Sequence, residues 1–335
     1  MPVRNEEGAL EATLDDVLGQ VVDVPFEVVA AEGGSSDRTR EILEARQARD
    51  PRLRVVDNPH GGTPQALNCA LRAARGRYLV RVDGHSRLPP NFVQALVDNL
   101  RAGRCEAVGG LMRAVGVGPF GRAVAAVHRS RFGVGNAKHH YASEPTFVDH
   151  VAFPGYLTDR VRALGGWDER FVRNQDFELD YRYLLAGNRI LLDPSVSFDW
   201  NVRETVRAFG KQSYEYGWWK LRALVRHPSS LNLRWLVPPA LLVVLTAGIV
   251  FSRTTPGQLL LVGAAGAYGV FLLAAATLIG REAGWRLVPR IALATATLHF
   301  TWAAGFLASA VTVVLGRLRA RPPRRRETPT GSETA

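Results

Sequence analysis

The stretch Phe26-Glu-Val-Val-Ala-Ala-Glu32-Gly-Gly-Ser-Ser-Asp37 decides how this chain is read. A short apolar run ends in an acid and passes at once into turn residues, the mark of a buried strand entering a tight turn. Residues 37–48 then carry helical spacing. The unit recurs downstream. Leu53-Arg-Val-Val-Asp57 is a second strand closed by Asn58-Pro59, and Gly61-Gly62-Thr63 lead into a helix over 64–75. Tyr78-Leu-Val-Arg-Val-Asp83 is a third strand, again with an acid at its end. Residues 9–22, 89–101 and 174–187 read as helices, and 107–114 and 190–200 as strands. This alternation predicts an α/β fold with a mainly parallel, Rossmann-like sheet. In such sheets ligands bind beyond the C-terminal strand ends. Glu32, Asp57 and Asp83 all stand at such ends.

Charge divides the chain in two. The 335 residues carry 42 Lys+Arg against 31 Asp+Glu, a formal net charge of +11. Residues 1–199 hold 25 basic and 26 acidic residues, while residues 200–335 hold 17 basic and 5 acidic ones. The excess therefore lies entirely in the part that also holds the long apolar runs. That is the pattern of a membrane-anchored protein with juxtamembrane arginines, not of a nucleic-acid-binding domain. Cys69 and Cys105 offer neither a disulfide framework nor zinc spacing, in keeping with a reducing cytosol. Met1 is followed by Pro-Val-Arg-Asn-Glu, with no apolar signal segment.

The expected organisation is a catalytic domain over 1–200, amphipathic interface helices over 201–232, a transmembrane region over 233–316 and a disordered Arg-rich tail over 317–335. The apolar segments are 235–252, 259–280 and 291–315. Segment 235–252 carries Pro238-Pro239 and is short for a span. The count of three conflicts with a cytosolic domain and a cytosolic basic tail, which need an even number of crossings. Either 235–252 does not cross, or the tail faces outward. His299 is the only titratable group in its segment, and an inter-helix polar contact is its plainer reading.

Several residues carry possible chemistry. Asp83-Gly-His85 places a carboxylate and an imidazole at a strand end, where both could reach a divalent cation bridging a diphosphate. An Asp capping the next turn beside an exposed His is the alternative. Glu32 is either a turn acid or a ligand for ribose or base hydroxyls. Asp176 is either a helix-start acid favoured by the macrodipole or a general base. Glu178 and Arg182 read as an ordinary helix pair. Gly62, Gln65 and Asn68 either line a cleft or simply begin a helix. Trp218 and Trp219 either stack on a sugar or lie in the lipid interface, and at least one is expected in the interface. His128, His139, His140, His150 and His227 show no metal-site spacing.

Taken together and in order, these motifs resemble the family 2 inverting glycosyltransferases of GT-A fold over residues 1–220. Pro2-Val-Arg4-Asn-Glu6-Glu matches the family's opening nucleotide-site motif. Glu32-Gly-Gly-Ser-Ser-Asp37-Arg-Thr39 is similar to its acidic Gly-Ser turn, with Glu32 for the first Asp and Arg38 for the last Gly. Asp83-Gly-His85 stands where the family has Asp-x-Asp. Gly165-Gly-Trp167-Asp168-Glu169 with Asn174-Gln175-Asp176 resembles the acceptor region and the motif holding the base. Gln212 with Tyr216-Gly-Trp218-Trp219-Lys220 is similar to the Gln-x-x-Arg-Trp region. The Asp-Gly-His and Asn-Gln-Asp variants resemble the ExoA-type subgroup of succinoglycan biosynthesis, which extends lipid-linked saccharides.

The resemblance implies Asp176 as catalytic base and Arg4, Glu6, Glu32, Asp57, Asn68 and Asp83 around the nucleotide-sugar donor, expected to be a UDP-sugar. It implies Mg²⁺ or Mn²⁺ on Asp83 and His85, and Trp167, Asp168, Gln175, Gln212 and Trp218 on the acceptor side. The implied partners are a lipid-linked saccharide and the cytoplasmic membrane, with the catalytic domain in the cytosol and the product an exopolysaccharide or surface glycan. A polyprenyl-phosphate glycosyltransferase and a non-catalytic membrane scaffold are the competing readings. In the family an apolar strand precedes the opening motif. Here that motif begins at residue 2, so the sheet is expected to lack its first strand, as if a mis-set start had removed it.

Overall fold

The computed structural model describes residues 1–319. Its elements in chain order are β1 (Pro2–Val3), α1 (Leu10–Leu18), β2 (Val28–Glu32), α2 (Thr39–Arg49), β3 (Leu53–Asp57), α3 (Thr63–Ala73), β4 (Tyr78–Val80), α4 (Phe92–Arg101) and β5 (Ala107–Val115). There follow α5 (Pro119–His128), α6 (Arg131–Val134), β6 (Thr146–Phe147), β7 (Ala152–Leu157), α7 (Thr158–Ala163), α8 (Gln175–Leu185), β8 (Ile190–Asn201) and α9 (Val206–Arg226). Three long apolar helices close the described chain: α10 (Val237–Val250), α11 (Thr255–Ala283) and α12 (Val288–Arg319). The basic tail expected over 317–335 thus begins inside α12, and its remainder lies outside the described residues.

The strands fall into two sheets. β1, β2 and β3 form a parallel sheet in that order, with Glu32 opposite Asp57. The strand expected to be missing is represented by the two residues of β1, which pair with β2 alone. The second sheet has the order β4-β7-β5-β8-β6. There β5 and β8 run parallel, while β7 enters antiparallel between β4 and β5, and β6 joins antiparallel at the edge. The parallel pattern read from the alternation therefore holds for the first half, and the second half is mixed. The β5–β8 register shifts between Gly110, opposite Asp193, and Leu111, opposite Ser197. Pro194 lies in the skipped stretch, where a residue without an N–H donor cannot continue the ladder.

Helical periodicity explains how these sheets are covered. Leu10, Leu14, Val17 and Leu18 bury one face of α1 in a core with Val28, Ala30, Leu53, Phe92 and Phe198. The Phe92 and Phe198 rings meet edge to face at 5.8 Å, a preferred aromatic geometry. A second core joins the catalytic domain to the apolar helices. Ala123, Val124 and Val127 of α5 pack with Ala114, Val202 and Phe209, and with Ala276, Ile279, Ile291 and Ala294 of α11 and α12. Along α9 and α12 the backbones approach closely through glycine. A Cβ at Gly217 would strike the Trp302 carbonyl, and one at Gly305 the Tyr214 carbonyl.

Candidate active site

The opening motif and the Gly-Ser turn are stitched together by backbone hydrogen bonds, which accounts for their residue types. Asn5 adopts φ 54°, a left-handed conformation that Asn tolerates better than most residues. Its N–H donates to Ser35 Oγ at 2.9 Å, and its Oδ1 accepts from Ser36 N at 2.8 Å. Glu6 N donates to Thr39 Oγ1 at 2.8 Å, and Glu7 N to Asp37 Oδ2 at 3.2 Å. These bonds fix the loop that carries Arg4 and Glu6.

That loop forms one wall of a cleft of about 130 Å³ lined by Arg4, Glu6, Asn58, Gly62, Asp83 and His85 among others. Arg4, Glu6 and Asp83, three of the residues expected around the donor, therefore share this cleft. Glu32, Asp57 and Asn68 do not line it. Glu32 is buried, and burial pushes its pKa up, yet the Ser35 N–H at 2.6 Å and Arg40 at 3.2 Å more than offset this and hold it below the usual carboxylate value. Asp57 is 76% exposed and pairs with the same Arg40, so α2 neutralises both strand-end acids. Asn68 instead binds the Trp167 loop. Its Nδ2 donates to Trp167 O and Glu169 Oε1 at 2.9 Å each, and its Oδ1 accepts from Trp167 N at 2.9 Å.

His85 and Glu6 meet at 2.9 Å through Nδ1. That bond, opposed by burial, raises the His85 pKa. It also leaves Nε2 as the free ring nitrogen. A carboxylate behind a histidine in this way is the usual support for a metal-ligating imidazole. Among the described residues no three His, Cys, Asp or Glu side chains form a ready-made metal cage. Asp83 and His85 supply two donors, and a hard divalent ion commonly takes the rest of its shell from substrate phosphate and water. The pair fits such an ion.

Asp176 lies in the first turn of α8 and is 20% exposed. Its Oδ1 accepts from Trp167 Nε1 at 3.1 Å, and its Oδ2 is held by Arg81 Nη1. The same guanidinium reaches Asp83 through Nε at 3.2 Å and Nη2 at 2.8 Å. Asp83 and Asp176, far apart in sequence, are thus brought to one arginine. Arg81, one residue past β4, belongs to none of the motifs. Its signal was spacing: residues two apart along an extended chain share a face.

The remaining acceptor-side candidates divide. Asp168 is tied to Arg170 at 2.6 Å, which lowers its pKa against the opposing effect of burial. Gln175 and Gln212 are buried. Trp218 stacks on Tyr214 at 6.3 Å, whereas Trp219 packs on Phe171 at 6.2 Å, so Trp219 is the one turned toward the Asp168 loop. Glu178 binds Arg182 at 2.7 Å as a helix pair and also takes His227 Nε2 at 2.9 Å.

Comparison with known proteins agrees with this architecture. Residues 1–153 match the model of glycosyl transferase family 2. The succinoglycan biosynthesis protein ExoA of Rhizobium meliloti is 29% identical over 312 residues, covering 91% of this chain and 92% of that protein. A dolichyl N-acetyl-alpha-D-glucosaminyl phosphate 3-beta-D-2,3-diacetamido-2,3-dideoxy-beta-D-glucuronosyltransferase of Methanococcus voltae is 22% identical, covering 75% of this chain and 80% of that one. Among solved structures, the mannosyltransferase PcManGT of Pyrobaculum calidifontis, in complex with GDP-Man and Mn²⁺, aligns at a TM-score of 0.59 and 19% identity over 94% of this chain and 86% of that one. Residues 1–153 thus match glycosyl transferase family 2, and the chain carries them in a GT-A fold followed by apolar C-terminal helices, with glycosyltransferases among its relatives.

Proposed function

We propose that the enzyme transfers a sugar, with inversion, from a nucleoside diphosphate sugar to the hydroxyl of a lipid-linked saccharide at the cytoplasmic membrane. The observation that carries this reading is the position of Asp176, which faces the Asp83 side of the donor cleft across Arg81 and is held by the Trp167 indole. Asp176 takes the proton of the acceptor hydroxyl as its oxygen attacks the anomeric carbon. The new C–O bond forms on the face opposite the breaking bond to phosphate. The nucleoside diphosphate leaves with that bond's electron pair. A divalent ion on Asp83 and His85 would supply electrostatic stabilisation of the departing diphosphate.

Other residues bind and orient. Arg4 lines the donor cleft, with Nη1 3.3 Å from the Gly61 carbonyl. Asn58 is 2% exposed, and its Oδ1 lacks a partner. A buried acceptor without a donor is costly, and an N–H of a uracil base would satisfy it. Asn68 holds the Trp167 loop against α3. The apolar helices and the basic, aromatic face of α9 favour a membrane-borne acceptor, and the similarity to a succinoglycan biosynthesis protein supports a saccharide carried on lipid.

The test is an assay of membranes holding the full chain with a panel of radiolabelled nucleotide sugars, followed by lipid extraction. Asp176→Asn is expected to lose about a thousandfold in transfer, within the usual range for a general base, while keeping UDP binding. Near-normal turnover in that variant would sink the assignment.

A further inference from the structure

We propose that Arg81 is a positioning residue that holds the catalytic base and serves as a resident cation on Asp83 before the divalent ion binds. The inference rests on the reading of Asp176 as base and Asp83 as metal-side ligand. Arg81 is 7% exposed, while Asp83 and Asp176 are 23% and 20% exposed. A charge so buried is retained only if paired and hydrogen-bonded. Arg81 meets that condition twice. Nε and Nη2 grip Asp83 at 3.2 Å and 2.8 Å, and Nη2 also lies 3.2 Å from its second oxygen. Nη1 takes Asp176 Oδ2. The Arg81 backbone N–H donates to Pro154 O at 3.1 Å, which anchors its base to β7.

This arrangement has two consequences. Both oxygens of Asp176 are engaged, one by Arg81 and one by Trp167, so the carboxylate has one orientation. Asp83 is also engaged at both oxygens, so a divalent ion approaching either one competes with the Arg81 guanidinium for it. Released on that side, the guanidinium remains on Asp176. Binding at the donor side thereby leaves the base with the whole of one cation. The planar guanidinium bridges the two acids with donors fixed in one fork. A lysine ammonium, a compact point charge on a flexible stem, would not hold both acids in these orientations.

The full-length enzyme in nanodiscs tests this by two measurements on Arg81→Gln. The first is Mn²⁺ binding by electron paramagnetic resonance without nucleotide. The second is the division of the activity loss between kcat and the donor KM. Mn²⁺ is expected to bind about three- to tenfold more tightly, because its competitor for Asp83 is gone. kcat is expected to fall about a hundredfold with the donor KM changed less than about threefold, since the base loses its orientation. Arg81→Lys should recover less than about a tenth of the lost kcat. Unchanged or weaker Mn²⁺ binding in Arg81→Gln, or kcat near wild type, overturns the proposal. If Arg81→Gln does not fold, Arg81→Lys carries the test, and a wild-type kcat in it is equally fatal. Normal turnover in Asp176→Asn would remove the base assignment while leaving the Mn²⁺ comparison readable. A dead Asp176→Asn beside an unaltered Arg81→Gln would remove only the proposal.

Discussion

Glu6 and His85 show what single residues disclose and what they conceal. Each stands in a motif that is legible in the sequence, yet their 2.9 Å contact joins positions 79 apart and follows only from the fold. Because the carboxylate fixes the ring, Glu6→Gln is expected to weaken Mn²⁺ binding about tenfold, measured by titration in the absence of acceptor. Unaltered affinity would show that the ring needs no such support. Glu32 and Asp57 illustrate the opposite case. Their strand-end positions were legible, but that Arg40 on a neighbouring helix pairs with both carboxylates was not. The buried histidines show a third. His128, His139 and His140 have no metal-site spacing, but the fold gathers their rings, with centroids 4.4 Å apart for His139 and His140 and 5.4 Å for His128 and His140. Burial, reinforced by neighbouring histidines, lowers the pKa of His128 to about 3, holds His139 well below its ordinary value, and lowers His140 to about 4. The unfolded chain therefore takes up protons below about pH 6.5 that the native state refuses. Stability should be flat above that pH and fall as it drops, by about 1.4 kcal/mol per unit for each histidine. Thermal unfolding from pH 8 to 5 measures this, and His128→Phe should make the acid limb shallower.

At the level of elements, periodicity carried most of the reading. α1, α2, α3 and α4 and their strands fall where apolar spacing placed them, because each is a local pattern. The antiparallel entry of β7 between β4 and β5 was not legible, since Ala152–Leu157 shows nothing of which edges it will join. The contact between α9 and α12 was equally hidden. α9 reads as an interface helix from its aromatic and basic residues, but Gly217 and Gly305 give no sign that each admits the other helix's backbone. Gly217→Val should overpack this seam and cost about 1–3 kcal/mol. It should lower the unfolding midpoint in detergent while UDP binding at the distant cleft is kept. An unchanged midpoint would mean the two helices are not tightly apposed.

For the whole molecule, the path of the apolar helices can be tested. α10 begins beside the catalytic domain, where Trp235 meets Phe177 at 5.7 Å. The end of α11 and the start of α12 return to that domain and share a core with α5. The turn at Ser252 should therefore face away from the catalytic side, and Arg286 toward it. In a Cys69→Ser background, Ser252→Cys and Arg286→Cys should react with an impermeant maleimide from opposite sides of sealed vesicles. Reaction from one side only would mean that α11 does not cross. The shared core has a mechanical meaning as well. Ala114 and Val202 at the ends of β5 and β8 pack in the same cluster as Ile279 and Ile291 of the apolar helices. Close-packed interiors transmit strain. A bilayer that thins or thickens changes the tilt of its helices, and here that tilt would bear directly on the catalytic sheet. Transfer rate is therefore expected to vary with acyl-chain length in proteoliposomes, and equal rates across chain lengths would show that the shared core does not carry the tilt.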